Sequence, residues 1–407
     1  MNAMKKDDLQ RPGVDVLEEI KGLRKSGQCK EAERLARLEL EKNPGSSFFK
    51  NALAWSLYDK CVRGKKEVSQ ELESAVKEIL SLCVQDRYSP YVRAGLALLR
   101  AYGKDGAERS RRAALTLGRR LDSSQLSREA AQWKRADGEQ MVLPSDYEAY
   151  CSVMTKALLE TRQYQACLDL AEEALLGQES WQNNGDFWLQ YRQAQCLKEL
   201  GRLEESRDLY KVLLRQKAEW YLHYNLMEVE LQQGCLEEAL RQGLAAALAF
   251  GDADKKVKLF MAMANMYKKM GEATTSLEHM SLVLALRKEH NWAIKEETLR
   301  YFEAQGGRLE ELPSAELLAA KLKRFWRDEK YKGQERMQGV VLRILPSGKD
   351  GLIRGADGRT YYFRKASILE GKSQLALDRP VEFYSEPSYD KKRDRESLAA
   401  VQVKVLA

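Results

Sequence analysis

Glycines 201, 234 and 271 recur at intervals of 33 and 37 residues, each between two apolar runs of helical period. In "WLQYRQAQCLKELGRLEESRDLYKVLL" (188–214), "HYNLMEVELQQGCLEEALRQGLAAAL" (223–248) and "FMAMANMYKKMGEATTSLEHMSLVLAL" (260–286), a small residue follows the glycine: Ser206, Ala239 and Ser276. An earlier copy, "IKGLRKSGQCKEAERLARLELEKNP" (20–44), has the same plan around Gly27 and Ala32 and closes on Asn43-Pro44. A period of this length signals stacked supersecondary units. The glycine supplies the positive-φ residue that ends a first helix. The small residue lets the second helix approach closely, and Pro44 stops that helix because it has no amide hydrogen to donate.

These stretches resemble the tetratricopeptide repeat family, with Gln190, His223 and Phe260 standing at the family's tryptophan position. The segment 146–176 is close to the pattern, with Thr161 in place of the turn glycine; the helix pairs between 47 and 121 are of irregular length. The resemblance implies a mostly α chain with seven or so hairpins from about 13 to 305, capped by helices through about 330. Single hairpins cannot bury their own apolar face, so they stack. In the family this gives a right-handed superhelix whose concave side is lined by the first helices. That places Gln190, Arg192, His223, Tyr224 and Lys268 near a surface for a protein or peptide partner. The alternative for each is a merely solvated position.

The seven cysteines are scattered singly with no CxxC pair, which predicts buried free thiols in a reducing compartment. Residues 1–12 lack the apolar core of a signal peptide and are expected to be a flexible N-terminus. With no apolar run of membrane-spanning length, a cytoplasmic location is expected. Net charge is +7, and the stretch from Met337 onward holds thirteen Lys or Arg against nine Asp or Glu, a pointer toward an anionic partner.

Two basic stretches lie in the helical part. "RAGLALLRAYGKDGAERSRRAALTLGRR" carries Arg93, Arg100, Lys104, Arg109, Arg111, Arg112, Arg119 and Arg120. Clustered arginines can hold phosphates bidentately; the plainer expectation is a solvated face. "AAKLKRFWRDEKYKGQER" (319–336), with Phe325, Trp326 and Tyr331 interleaved, reads as a capping helix that docks its aromatics on the last repeat while its lysines face water, with 331–336 as a linker.

From Met337 the period changes. "GVVLRIL" (339–345), "GLIRG" (351–355), "TYYFRKASI" (360–368), "RPVEFYSE" (379–386) and "LAAVQVKVL" (398–406) read as five short strands, with a hairpin turn at Asp357-Gly358. Five strands over residues 337–407 suit a small barrel of the OB type. The segment resembles a cold-shock domain at Gly339-Val340-Val341, Gly351-Leu352-Ile353, Tyr361-Tyr362-Phe363, Ala366-Ser367-Ile368, Val381-Glu382-Phe383 and Ala399-Ala400-Val401. In that family, aromatics of the second and third strands stack on unpaired bases. Here Arg343, Asp350, Leu352, Arg364 and Lys365 replace the family's aromatics and histidine, and Tyr362 keeps one ring. Alternation puts Tyr362 and Arg364 on one face with Tyr361 and Phe363 in the core. The resemblance therefore implies a site for single-stranded RNA or DNA at Arg343, Arg354, Tyr362, Arg364 and Lys365. The loop residues Lys391, Lys392, Arg393 and Arg395 would add backbone neutralisation.

Nucleotide-loop, zinc-protease and serine-hydrolase motifs are absent, and the three histidines lie in unrelated segments, so no enzyme, metal or cofactor is expected. The leading expectation is a non-catalytic adaptor that docks a protein on the helices and single-stranded nucleic acid, RNA above all, on the barrel. The alternatives are a pure protein-interaction scaffold with a degenerate barrel, and nucleic-acid binding by the early arginine-rich repeats.

Overall fold

The computed structural model describes residues 12–134, 138–390 and 395–406. Seven helical hairpins occur among them. They pair α1 (Pro12–Lys25) with α2 (Cys29–Lys42), α3 (Ser47–Leu57) with α4 (Gln70–Leu82), and α5 (Tyr91–Asp105) with α6 (Glu108–Gly118). Next come α7 (Asp146–Glu160) with α8 (Tyr164–Gly177), α9 (Gly185–Glu199) with α10 (Leu203–Gln216), α11 (Trp220–Gln232) with α12 (Leu236–Leu248), and α13 (Val257–Lys269) with α14 (Ala273–Glu289). Two further helices, α15 (Glu296–Ala304) and α16 (Ala315–Lys330), precede the C-terminal strands. The chain divides into two compact units, the first ending at Ser206 and the second starting at Arg207.

The glycine turn works as its chemistry requires. Gly27, Gly201, Gly234 and Gly271 have φ of 80, 78, 79 and 81°. At Gly201 its own N–H bonds back to the Lys198 carbonyl, and the next N–H, of Arg202, reaches the Leu197 carbonyl at 2.9 Å. That pair of bonds closes the orphan carbonyls of the preceding helix end. In the α7–α8 hairpin the equivalent residue is Arg162 at φ 61°, one position beyond the expected Thr161; the same two bonds run from Arg162 to Leu159 and from Gln163 to Leu158. Counting five residues on from each turn reaches Ala32, Cys167, Ser206, Ala239 and Ser276, all fully buried. Three of them bond to the carbonyl twelve residues upstream: Ser206 to Ala194 at 2.7 Å, Ser276 to Ala264 at 2.8 Å and Cys167 to Thr155 at 3.1 Å. A larger side chain would hold the two helices apart there.

The capping role of α16 follows the sequence expectation for Phe325 and Trp326, whereas Tyr331, expected to dock beside them, stacks on Tyr384 instead. Trp326 stacks on Phe260 of α13 at 5.2 Å, and Phe325 meets Tyr267 edge-on at 5.8 Å. One element was not anticipated: β1 (Ala131–Lys134) and β2 (Gln140–Leu143) form an antiparallel hairpin between α6 and α7. The cysteines are free thiols; Cys61, Cys151, Cys167 and Cys196 are buried as expected, but Cys29 and Cys83 are half-buried and Cys235 is exposed.

The C-terminal sheet contains β3 (Met337–Ile344), β4 (Asp350–Gly355), β5 (Thr360–Arg364), β6 (Ile368–Glu370), β7 (Pro380–Asp390) and β8 (Arg395–Val405). Their order is β5-β4-β3-β7-β8-β6, with a further parallel pairing of β5 and β8 through Tyr362 and Ala399. The run 360–368, expected as one strand, is two. A 3₁₀ turn at Lys365–Ser367 breaks it, held where the Lys365 N–H donates to the Lys349 carbonyl at 2.7 Å and the Ser367 hydroxyl to the Arg364 carbonyl at 2.6 Å. Inside the sheet Val341, Ile353, Tyr361, Phe363, Val381 and Phe383 are all at most 2% exposed. Each such side chain contributes roughly 1.5–3 kcal/mol by leaving water.

Candidate functional site

Residues directly opposite on neighbouring strands share a face of the sheet. Arg343 of β3 faces Leu352 of β4, which faces Tyr362 of β5, so the three form one row. The adjoining rows hold Val340, Arg354 and Thr360 on one side and Asp350 with Arg364 on the other. All lie opposite the apolar interior, because Tyr361 and Phe363 alternate inward. Arg343, Arg354 and Arg364 are exposed, while Tyr362 and Lys365 are half-buried. None of the three arginines is in an ion pair among the described residues. The Tyr362 hydroxyl has its pKa raised, first by burial and then by the Asp350 carboxylate, against the pull of the Arg364 guanidinium. This face thus presents one aromatic ring among guanidinium groups with a single carboxylate at its edge. Arg395 is exposed and pairs across the ladder with Asp390; Lys391, Lys392 and Arg393 lie outside the described residues.

The β7–β8 flank of the same outer surface is occupied. Tyr384 stacks on Tyr331, just past the end of α16, with ring centroids 4.3 Å apart and planes 8° from parallel. The Tyr331 hydroxyl and the Lys330 ammonium both engage the Glu386 carboxylate. Arg336 covers the Tyr384 ring at 4.4 Å and donates to the Gln402 carbonyl at 2.8 Å. The segment 331–336, expected as a linker, is therefore bound to the sheet at both ends. Sequence reasoning passed over Tyr384 and Arg336, although the alternation that puts Phe383 inside also sends Tyr384 outward.

The residues assigned to the helical surface differ in accessibility. In the first unit Gln190 is half-buried, and Arg192 donates to the Thr155 hydroxyl at 3.2 Å, with burial holding its pKa below the usual guanidinium value. In the second unit His223 Nδ1 lies 2.8 Å from Gln242 Oε1. Burial is the first cause of its lowered pKa; Lys330 adds to it, and the Gln242 bond and Glu386 oppose it. The Tyr224 hydroxyl donates to Glu228 at 2.6 Å. Lys268 alone of the five is exposed; its ammonium sits 3.8 Å from the Tyr301 ring centre, at the wall of a cavity of about 470 Å³. That cavity also takes in Lys258, Arg287 and Lys295, which no repeat signature singled out.

The arginine-rich helices α5 and α6 are largely spoken for within their own unit. Arg109 pairs with Glu73 at 2.7 Å, Arg111 with Glu160 at 2.8 Å, Arg112 with Glu108 at 2.6 Å and Arg100 with Asp146 at 3.6 Å. Arg120 donates to the Leu80 carbonyl at 3.2 Å, and the Arg93 guanidinium lies 5.6 Å from the Trp55 ring centre. Three carboxylates from neighbouring helices, distant in sequence, and Glu108 one turn back on α6 thus answer a run that looked uncompensated.

Among the described residues no helix is long and apolar enough to cross a membrane, and no group of three or more His, Cys, Asp or Glu is arranged to hold a metal ion. No family model matches the chain, and no curated relative matches it. Solved structures do. MamA from Desulfovibrio magneticus RS-1 is 16% identical, covering 48% of this chain and 96% of its own, at a TM-score of 0.36. YrrB, described as a TPR protein with an unusual peptide-binding site, is 14% identical over 66% of this chain and 97% of its own, at 0.31. PilF of Pseudomonas aeruginosa is 12% identical over 72% and 96%, at 0.30.

Proposed function

We propose that this chain is a non-catalytic adaptor whose tetratricopeptide-like superhelix docks a protein and whose C-terminal module is an OB-type barrel that binds single-stranded nucleic acid, RNA above all. The order β5-β4-β3-β7-β8, with β5 returning to pair in parallel with β8, supports a closed five-stranded reading in which β5 and β6 are two halves of the third strand. The observation that carries the binding proposal is the row Arg343, Leu352 and Tyr362, flanked by Arg354 and Arg364, with none of the three arginines in an ion pair among the described residues. A ring offers a base a stacking partner of any sequence, and guanidinium groups neutralise phosphates. Binding is then sequence-tolerant and falls steeply with salt.

The test is a titration of labelled oligouridine against the full chain and against Tyr362→Ala and Arg343→Ala/Arg364→Ala variants, at two salt concentrations. The ring substitution costs about 1–3 kcal/mol, and the arginine pair flattens the salt dependence by about 1.4 in logarithmic slope, roughly 0.7 for each phosphate of a single strand. Binding that ignores all three positions removes the proposal. The second reading, a protein-interaction scaffold whose barrel contacts protein, is favoured by Val340 and Leu342, which are 39% and 37% exposed on β3. It predicts no oligouridine binding even at low salt.

A further inference from the structure

The cavity beside Lys268 lies wholly within the second unit, between α13, α14 and α15. Its apolar part comes from Met261, Met280 and Ile294, which pack with the core around Phe302. Around it stand four cations, Lys258, Lys268, Arg287 and Lys295, against one carboxylate, Glu297. Among the described residues none of the four is in an ion pair. Arg287 is anchored through the Ala293 carbonyl, and Lys268 rests on Tyr301. The contrast with α5 and α6 is decisive, because there Arg100, Arg109 and Arg111 of an equally basic stretch are matched by carboxylates from neighbouring helices and Arg112 by Glu108 on its own helix. Unanswered charge around a cavity of about 470 Å³ is charge complementarity left for a ligand. Flexible methionines at its base accommodate apolar side chains of different shape.

We infer that this cavity receives an acidic peptide segment, seating one large apolar side chain on Met261, Met280 and Ile294 while flanking Asp or Glu residues pair with Lys258, Lys268 and Lys295. This rests on the helical array being a protein-docking scaffold and names the chemistry of the partner.

The test is selection of a displayed random heptapeptide library on the full chain, followed by fluorescence anisotropy of the best peptide. The probes of the site are Lys258→Glu/Lys295→Glu, which reverses exposed charge, and Met261→Trp, which fills the cavity and keeps the charge. The expected result is enrichment of Asp and Glu around an apolar residue, with affinity falling about tenfold or more in each variant, as loss of close charge pairs or of the pocket requires. Both variants are checked for an unchanged unfolding transition, and either one alone suffices if the other does not fold. Enrichment of neutral or basic peptides that bind both variants equally overturns this site and leaves the scaffold reading standing. No enrichment at all overturns both. Oligouridine binding that drops in Lys258→Glu/Lys295→Glu, with peptide binding unchanged, assigns the cavity to nucleic acid and overturns the inference.

Discussion

Trp326 donates its indole N–H to Nε2 of His279 across 2.8 Å, while Nδ1 of the same ring lies 2.8 Å from the Thr275 carbonyl. The second contact requires a proton on Nδ1 and the first a lone pair on Nε2, so the imidazole is neutral and its tautomer is set by its partners. Fully buried among Tyr267, Phe325 and Trp326, it joins the last hairpin to α16.

That relationship makes the second unit sensitive to acid. Burial lowers the His279 pKa to about 4, against the opposing pull of the Thr275 carbonyl and Glu278. As pH falls through the ordinary value near 6.5 the unfolded chain takes up a proton and the folded one does not, so stability is full above that value and declines down to about 4. The group's share of the loss is roughly 3 kcal/mol. Urea unfolding at pH 7 and pH 4.5 measures it, and His279→Gln, which keeps an acceptor without titrating, removes that part of the decline.

The α7–α8 turn stores strain that a single substitution releases. Arg162 is exposed and holds a left-handed conformation of the kind glycine adopts in the connections of the six other hairpins. Such a conformation costs a non-glycine residue about 1–2 kcal/mol. Arg162→Gly is expected to stabilise the first unit by about 1 kcal/mol in chemical denaturation, part of the gain being offset by the greater freedom of an unfolded glycine. Arg162→Ala, which keeps the penalty, leaves the transition where it was.

Gly351 is a close-approach position. A Cβ there would lie 2.5 Å from the Phe363 ring and 2.7 Å from the Arg343 carbonyl oxygen. Neither a packed ring nor a backbone atom in a sheet yields easily, so Gly351→Ala costs 2 kcal/mol or more, at the upper end of the range of about 1–3 kcal/mol for overpacking. Loss of chemical-shift dispersion in β4 and β5, with helical circular dichroism retained, is the expected signature.

Tyr384 fastens the sheet to the end of α16. Removing the ring in Tyr384→Ala forfeits its stack on Tyr331 and leaves the Arg336 guanidinium without its π partner. Aromatic pairing and the cation–π contact are each worth about 0.5–1.5 kcal/mol. Amide exchange across 327–336 and β7–β8 accelerates accordingly, whereas Tyr384→Phe, which keeps the ring, exchanges like the native chain.

Local chemistry alone carried much of the fold. The glycine turns, the small residues at Ala32, Ser206, Ala239 and Ser276, the docking of Phe325 and Trp326, and the inward alternation of Tyr361 and Phe363 each follow from a rule that acts over a few residues. A turn needs a permissive φ, and a strand has period two; neither depends on what lies elsewhere. The turn at Arg162 escaped because a strained residue leaves no compositional mark, and Cys167 went unrecognised as the small residue because its turn was placed one position early.

Charge and exposure belong to the other category. Arg109 and Arg111 look free in sequence and are paired with Glu73 and Glu160, whereas Lys258 and Lys295 look unremarkable and stand unpaired around a cavity. Tyr331 reads as linker and is clamped to Tyr384, 53 positions later in the chain. Coulomb energy and ring stacking fall off over a few ångströms. Helix packing and strand pairing bring residues within that range irrespective of sequence separation. Composition and periodicity therefore determined which elements form, and tertiary packing decided which charges and rings remain available to a partner.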